Sequence, residues 1–262
     1  MAHMPNDPLR SFRLDGRVAF ITGASSGIGA TLATAFAAAG AAVALVARRL
    51  DRIESLAASI QSAGGTALAV PLDVTDRVAI TAAFELVGQR LGVPDVVINN
   101  AGMADPALFT RTDAAALQRT MATNFIAPWN ICAEAATRLI AAGKPGSLIN
   151  IASVLALGAA PGYAAYSASK GALVQMTRSL ALEFVRHRIR VNALAPGWFI
   201  SEMNADYFAS DKGRAYIQRM PPGRTGALEE LVGPALLLAS EAGSYVNGVV
   251  LPVDGGHHVA LV

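Results

Sequence analysis

Seven short apolar runs alternate with helical patterns from residue 17 onward, and this alternation limits the fold more than any other feature of the chain. The runs lie at residues 18–22, 43–47, 67–71, 96–98, 147–151, 190–193 and 249–253. Their near-continuous Val, Ile, Leu and Ala character marks strands covered on both faces, where a half-exposed strand would alternate. Helical patterns are predicted between them at 27–39, 51–63, 76–91, 113–142, 166–185 and 228–240. Such alternation demands parallel strands, because parallel neighbours need a long crossover, and crossovers are right-handed. The expected fold is α/β: a doubly wound, seven-stranded parallel sheet with helices on both faces. No composition break, linker or internal repeat divides residues 1–262, so a single domain is expected.

Two segments stand apart. Residues 1–12 have two prolines and no apolar core of a signal peptide, and are read as a flexible tail. Residues 199–224 follow the sixth strand with weak periodicity, several aromatic residues and a Pro221-Pro222-Gly223 stop. Ligands of open α/β sheets bind beyond the carboxyl ends of the strands, so this insertion is expected to be a substrate lid.

Composition removes several classes of function. Only 15% of residues are charged and the net charge is +2, with Arg48-Arg49 and Arg186-His187-Arg188 the only dense basic spots. No nucleic-acid or membrane partner is expected. Residues 30–47 are nearly uncharged, but Gly40 divides them into a helix pattern and a short strand. Cys132 is the one cysteine, which excludes an internal disulfide and fits a reducing, cytoplasmic setting. His257-His258 lack any accompanying ligand spacing, so no metal site is expected and both are read as surface residues.

Several motifs carry chemistry. Thr22-Gly23-Ala24-Ser25-Ser26-Gly27-Ile28-Gly29 follows the first strand and opens a helix. Its glycines allow close backbone approach, so helix N-terminal amides can meet a pyrophosphate; an ordinary strand-to-helix turn would look similar. Asp73-Val74, past the third strand, places a carboxylate where it can meet an adenine amino group, or else begins a helix with Thr75 and Asp76. Asn99-Asn100-Ala101-Gly102 ends the fourth strand and suits either a backbone lying against a cofactor or a plain loop. Tyr166 and Lys170 are four apart in an Ala-rich helical pattern and share one face. There an ammonium is expected to lower the phenol pKa from its usual value of about 10, giving a proton donor and acceptor for carbonyl and alcohol chemistry.

These motifs, with the serine of Ile149-Asn150-Ile151-Ala152-Ser153, Arg190-Val191-Asn192 leading to Pro196-Gly197, and Val253-Asp254-Gly255-Gly256, resemble the short-chain dehydrogenase/reductase family over residues 14–256. The resemblance implies a Rossmann-type fold and four catalytic positions. Tyr166 is the implied general acid in reduction and base in oxidation. Lys170 holds the nicotinamide ribose and depresses the tyrosine pKa. Ser153 bonds the carbonyl oxygen, and Asn124 helps hold a water that relays protons to Lys170. The implied cofactor residues are Gly23, Ser25, Ser26, Gly27, Ile28, Arg48, Asp73, Val74, Asn100, Ala101, Gly102, Tyr166, Lys170, Pro196, Gly197, Phe199 and Ser201. Ser201 stands where the family commonly has threonine and keeps its hydroxyl.

The second strand ends in Val46-Ala47-Arg48-Arg49, with no acidic residue to meet a ribose 2′-hydroxyl. Arg48 is therefore expected to meet a 2′-phosphate, which favours NADP and leaves NAD as a second cofactor. The expected substrate is a small-molecule ketone or secondary alcohol with substantial apolar character, held by Ser153, Leu155, Tyr163, Tyr166, Trp198 and Met203. Within the family this part is similar both to 3-oxoacyl-thioester reductases and to polyol or gluconate-type dehydrogenases. A silent cofactor sensor on the same fold is the third reading, disfavoured because all four catalytic positions are filled. The resemblance also implies a homotetramer built on helices 113–142 and 166–185 and on the last strand.

Overall fold

The computed structural model describes residues 8–202 and 204–260. Its seven strands are β1 Val18–Thr22, β2 Ala42–Ala47, β3 Thr66–Pro71, β4 Val96–Asn99, β5 Gly146–Ile151, β6 Ile189–Pro196 and β7 Val250–Val253. All neighbours are parallel, in the order β3-β2-β1-β4-β5-β6-β7. The chain winds outward from β1 in one direction and then from β4 in the other. The strand order therefore reverses between β1 and β4, and a crevice at their carboxyl ends is the expected ligand position.

Nine helices among the described residues accompany the sheet: α1 Gly27–Ala38, α2 Leu50–Ser62, α3 Arg77–Arg90, α4 Ala114–Met121, α5 Ala127–Ala141, α6 Ala164–Phe184, α7 Ala205–Ala209, α8 Asp211–Arg219 and α9 Val232–Ala239. Successive strand residues point to opposite faces, which splits the core in two. On one face Ile21, Leu45 and Ile98 pack with Leu32 and Phe36 of α1, Ile53 of α2 and Leu238 of α9. On the other, Phe20 and Val97 pack with Phe84 of α3, Ile131 of α5 and Leu173 of α6. Phe20 and Phe84 stack with ring centroids 4.3 Å apart. Every residue of β1 is buried, as its unbroken apolar run requires.

The structure departs from the sequence expectations in four places. Residues Pro8–Phe12, expected within a flexible tail, form a 3₁₀ turn. The helix expected at 113–142 is three pieces, with a π-helical turn at Ala122–Ile126 between α4 and α5. The insertion after β6 carries two short helices, α7 and α8. Lastly, β7 is only partly buried because it is the edge of the sheet, and it tolerates Pro252 for the same reason.

Candidate active site

The glycine-rich turn between β1 and α1 is held from the neighbouring strand end. Thr22 Oγ1 donates to the Ile98 carbonyl at 3.2 Å and accepts from the backbone N–H groups of Asn100 and Ala101 at 2.9 and 3.0 Å. The Asn100 amide donates to the carbonyls of Thr22 and Gly23 at 2.9 and 3.2 Å. A Cβ on Gly29 would collide with this amide and with the Gly23 carbonyl, so the close approach itself requires glycine. Asn100 thus fixes the shape of the turn through its side chain. Ser26, the N-cap of α1, makes no side-chain capping bond, and so leaves the first-turn amides to other acceptors.

Four side chains converge beyond the ends of β4 and β5. Ser153, two residues past β5, caps a 3₁₀ turn with its Oγ accepting from Leu155 N–H at 3.1 Å. Tyr166 and Lys170 lie one turn apart on α6, with the Lys170 Nζ 5.8 Å from the Tyr166 ring centroid. Lys170 Nζ is buried and donates to the Ile151 carbonyl at 2.7 Å. Asn124 sits in the π turn, fully buried. Its Oδ1 accepts from Met103 N–H at 2.9 Å, and its Nδ2 donates to the Met103 carbonyl at 2.9 Å and to Ser169 Oγ at 3.1 Å. A Cβ built on Gly102 would lie 3.4 Å from Asn124 Oδ1 and 3.6 Å from Lys170 Nζ, which places both polar groups beside the end of β4.

Burial governs the electrostatics of this cluster. It lowers the Lys170 ammonium to about 8, because desolvation disfavours the charged form and no carboxylate offsets it. Burial also raises the Tyr166 phenol, offset in part by the Ser153 hydroxyl. The expectation that Lys170 lowers the phenol is therefore not met in the protein alone: burial raises the phenol, and the Lys170 ammonium is turned to the Ile151 carbonyl.

Around this cluster the other expected residues divide. Ile28 and Gly27 lie in the first turn of α1, and Ala101 follows Asn100 at the end of β4. Pro196 ends β6, and Gly197 N–H donates to the Val253 carbonyl at 2.9 Å. The Phe199 ring is buried in the core against Gly226. Val74 is buried, and Asp73 Oδ1 accepts from the Thr75 N–H and hydroxyl at 2.9 and 2.8 Å. Arg48 is exposed; its charge helps hold the Asp73 carboxyl below the usual range, behind the larger effect of the Thr75 bonds. Arg49, and not Arg48, reaches the serines of the turn.

Aromatic residues continue the site toward the lid. Tyr163 packs edge-on against Tyr166 and Trp198, with both centroid distances 6.2 Å, and Trp198 meets Phe208 at 5.5 Å. Leu155 is buried beside Ser153, whereas Met203 lies outside the described residues. Trp198 Nε1 donates to Tyr216 Oη at 3.1 Å, and that oxygen lies 3.2 Å from His257 Nε2. His257 is thus partly buried in the aromatic chain and is not the surface residue expected, whereas His258 is exposed as expected, with its Nδ1 2.7 Å from Asp254.

Sequence reasoning missed Tyr216, His257, Ser169 and a polar network beneath the site. In that network Asn99 Nδ2 donates to Asn150 Oδ1 at 2.8 Å, and Asn150 Nδ2 donates to Thr177 Oγ1 at 2.9 Å. Cys132 lies against Asn99, its thiol pushed up to about 12 by burial. The one signal in the sequence was an asparagine inside each of two apolar strands: Asn150, and Asn192, which ties β6 to the turn before β7. Met103 and Tyr216 had no comparable sequence signal.

A phenol, a hydroxyl and an ammonium gathered beyond β4 and β5 can move a proton to or from an oxygen, next to the glycine-rich turn at the switch point between β1 and β4. That defines oxidoreductase chemistry between carbonyl and alcohol. Comparison with known proteins agrees. The family model described as enoyl-(acyl carrier protein) reductase matches residues 23–258. Gluconate 5-dehydrogenase of Gluconobacter oxydans is 38% identical over 251 residues, covering 95% of this chain and 98% of that one. The 3-oxoacyl-(acyl-carrier-protein) reductase of Thermotoga maritima is 35% identical over 244 residues, covering 93% and 98%. A crystal structure of gluconate 5-dehydrogenase from Burkholderia cenocepacia, in complex with NADP and tartrate, matches with a TM-score of 0.93 at 36% identity, covering 97% of this chain and 100% of that one. The chain belongs to the short-chain dehydrogenase/reductase family.

Proposed function

We propose that the protein is an NADP(H)-dependent oxidoreductase that transfers hydride between nicotinamide and a ketone or secondary alcohol. The observation that carries this reading is the convergence of Ser153, Tyr166, Lys170 and Asn124 at the carboxyl ends of β4 and β5. In reduction the carbonyl carbon gains a hydride, its π electrons move to oxygen, and the Tyr166 hydroxyl supplies the proton to that oxygen; oxidation runs the same transfers backward. Ser153 orients the oxygen and stabilises the charge that develops on it. Lys170 binds the ribose, and Asn124 fixes the Met103 backbone and holds the proton-relay water.

The dinucleotide supplies the hydride, and the chain's own residues accommodate it. Gly23, Ser25, Ser26, Gly27 and Ile28 cradle the pyrophosphate, supported by the uncapped first turn of α1. Asp73 and Val74 border the adenine, and Arg48 serves the 2′-phosphate with Arg49 beside it. Asn100, Ala101 and Gly102 lie along the ribose, and Pro196, Gly197, Phe199 and Ser201 meet the nicotinamide. NADP is supported by the absence of a carboxylate at residues 46–49 and by the NADP-bound relative; NAD is the second cofactor.

For the substrate we favour a polyhydroxylated ketone or sugar acid. Polar groups of the aromatic chain on the lid side, the Tyr163 and Tyr216 hydroxyls and His257, suit substrate hydroxyls, and the gluconate dehydrogenases are among the relatives. A 3-oxoacyl thioester is the second reading, favoured by the apolar walls Leu155 and Phe208 and by the Thermotoga relative. Residues 199–224 act as the lid over either substrate. The reaction belongs in the cytoplasm, which a buried free thiol suits; among the described residues no helix is long and apolar enough to cross a membrane.

NADPH oxidation measured against keto sugar acids and 3-oxoacyl thioesters separates the two substrates, and activity with neither defeats both. Tyr166→Phe keeps the ring and removes the transferable proton, so turnover should fall by at least about 100-fold with dinucleotide binding retained. Near-normal turnover would remove Tyr166 from the mechanism.

A further inference from the structure

The lid reaches back to the phosphate turn through one ion pair. Arg49 Nε and Nη2 donate to Ser25 Oγ at 3.2 and 3.0 Å, and Nη2 also donates to Ser26 Oγ at 2.9 Å. The remaining Nη1 donates to Glu202 Oε2 at 2.9 Å, across 153 positions of sequence. The backbone follows the same path: a Cβ on Gly27 would lie 3.7 Å from Ser201 Cβ, so the start of the lid rests on the turn itself. Arg49 holds the Glu202 carboxyl below the usual range, with smaller help from Ser26 and Arg52. A guanidinium with two hydroxyls is a donor set for a phosphomonoester. In this structure a carboxylate from the lid takes that position.

We infer that Glu202 is a specificity-determining residue that occupies the anion subsite of Arg49, Ser25 and Ser26 and yields it to the 2′-phosphate of a phosphorylated dinucleotide. This rests on the NADP reading above. A 2′-phosphate and the Glu202 carboxylate compete for one guanidinium and repel each other, whereas an unphosphorylated dinucleotide leaves the Arg49–Glu202 pair intact. Glu202 therefore restrains the preference for the phosphorylated cofactor and loosens its hold on the turn when that cofactor binds.

The test uses 2′,5′-ADP and 5′-AMP as probes, so that no hydride chemistry enters the readout, with Kd measured by titration calorimetry on the full chain. Glu202→Gln should bind 2′,5′-ADP about two- to fivefold more tightly, the range expected when one exposed ion-pair competitor is removed. Its affinity for 5′-AMP should not change, and Glu202→Asp should stay near wild type. Arg49→Met should weaken 2′,5′-ADP by about 10- to 100-fold, and Glu202→Gln should have no further effect in that background. Unchanged or weaker 2′,5′-ADP binding in Glu202→Gln overturns the inference, as does equal tightening of 5′-AMP or tightening that persists without Arg49. A wild-type preference for 2′,5′-ADP that Glu202→Gln leaves unaltered removes only the role of Glu202. If Glu202→Gln binds the two probes equally, the NADP reading falls, and the inference with it.

Discussion

At the scale of single residues, the Lys170 ammonium has exchanged water for protein and answers with one strong bond, to the Ile151 carbonyl. Its pKa falls from 10.5 to about 8. The folded-state value is the lower one, so between about pH 8 and 10.5 the unfolded chain carries a proton that the folded protein has already lost. Stability from this group therefore rises with pH across that window, and the penalty for burying the ammonium is felt in full below it. The gap, at about 1.4 kcal/mol for each pH unit, amounts to about 3 kcal/mol. Measured as Tm or chemical denaturation, the wild type should gain on Lys170→Met by up to this amount as pH rises from 8 to 10.5. A difference independent of pH would show that the ammonium is solvated in the folded protein.

Among the elements, the β1–α1 turn shapes the glycine-rich loop and the π turn places Asn124. The first of these works because Asn100 reaches across from β4 and leaves no room for a side chain at residue 29. Gly29→Ala should destabilise the protein by about 1–3 kcal/mol through overpacking, seen as a Tm several degrees lower. It should also weaken 5′-AMP and 2′,5′-ADP alike, since it distorts the backbone both probes share. A variant with normal Tm and normal binding would mean that Asn100 yields easily. The π turn acts differently. It carries Asn124 inward, where its Nδ2 donates to Met103 and Ser169 and its Oδ1 accepts from Met103 N–H.

For the whole molecule, large apolar side chains remain on the helices beside the site. Phe109 is 80% exposed, Trp129 52% and Leu182 80%, with Ile126 and Val185 also exposed. Together with the partly buried edge strand β7, these surfaces support the proposed homotetramer with two-fold interfaces. Light scattering at micromolar concentration should give four times the chain mass, and Trp129→Glu combined with Leu182→Glu should give a smaller species. A monomeric wild type would remove the proposal.

By itself the sequence determined whatever depends on short-range periodicity: seven parallel strands, the glycine turn, and a tyrosine and lysine one helical turn apart. These follow from backbone sterics and the spacing of apolar residues, which any window of a dozen residues carries. Arg48 and Arg49 could not be told apart in this way, because only the folded chain brings Ser25, Ser26 and Glu202 to one of them. Nor could a Tyr–Lys spacing reveal that burial raises the phenol and lowers the ammonium, since desolvation depends on the whole surrounding protein. The inward turn of Asn124 and the Trp198–Tyr216–His257 chain are likewise tertiary facts, joining residues 18 to 45 positions apart that no local pattern links.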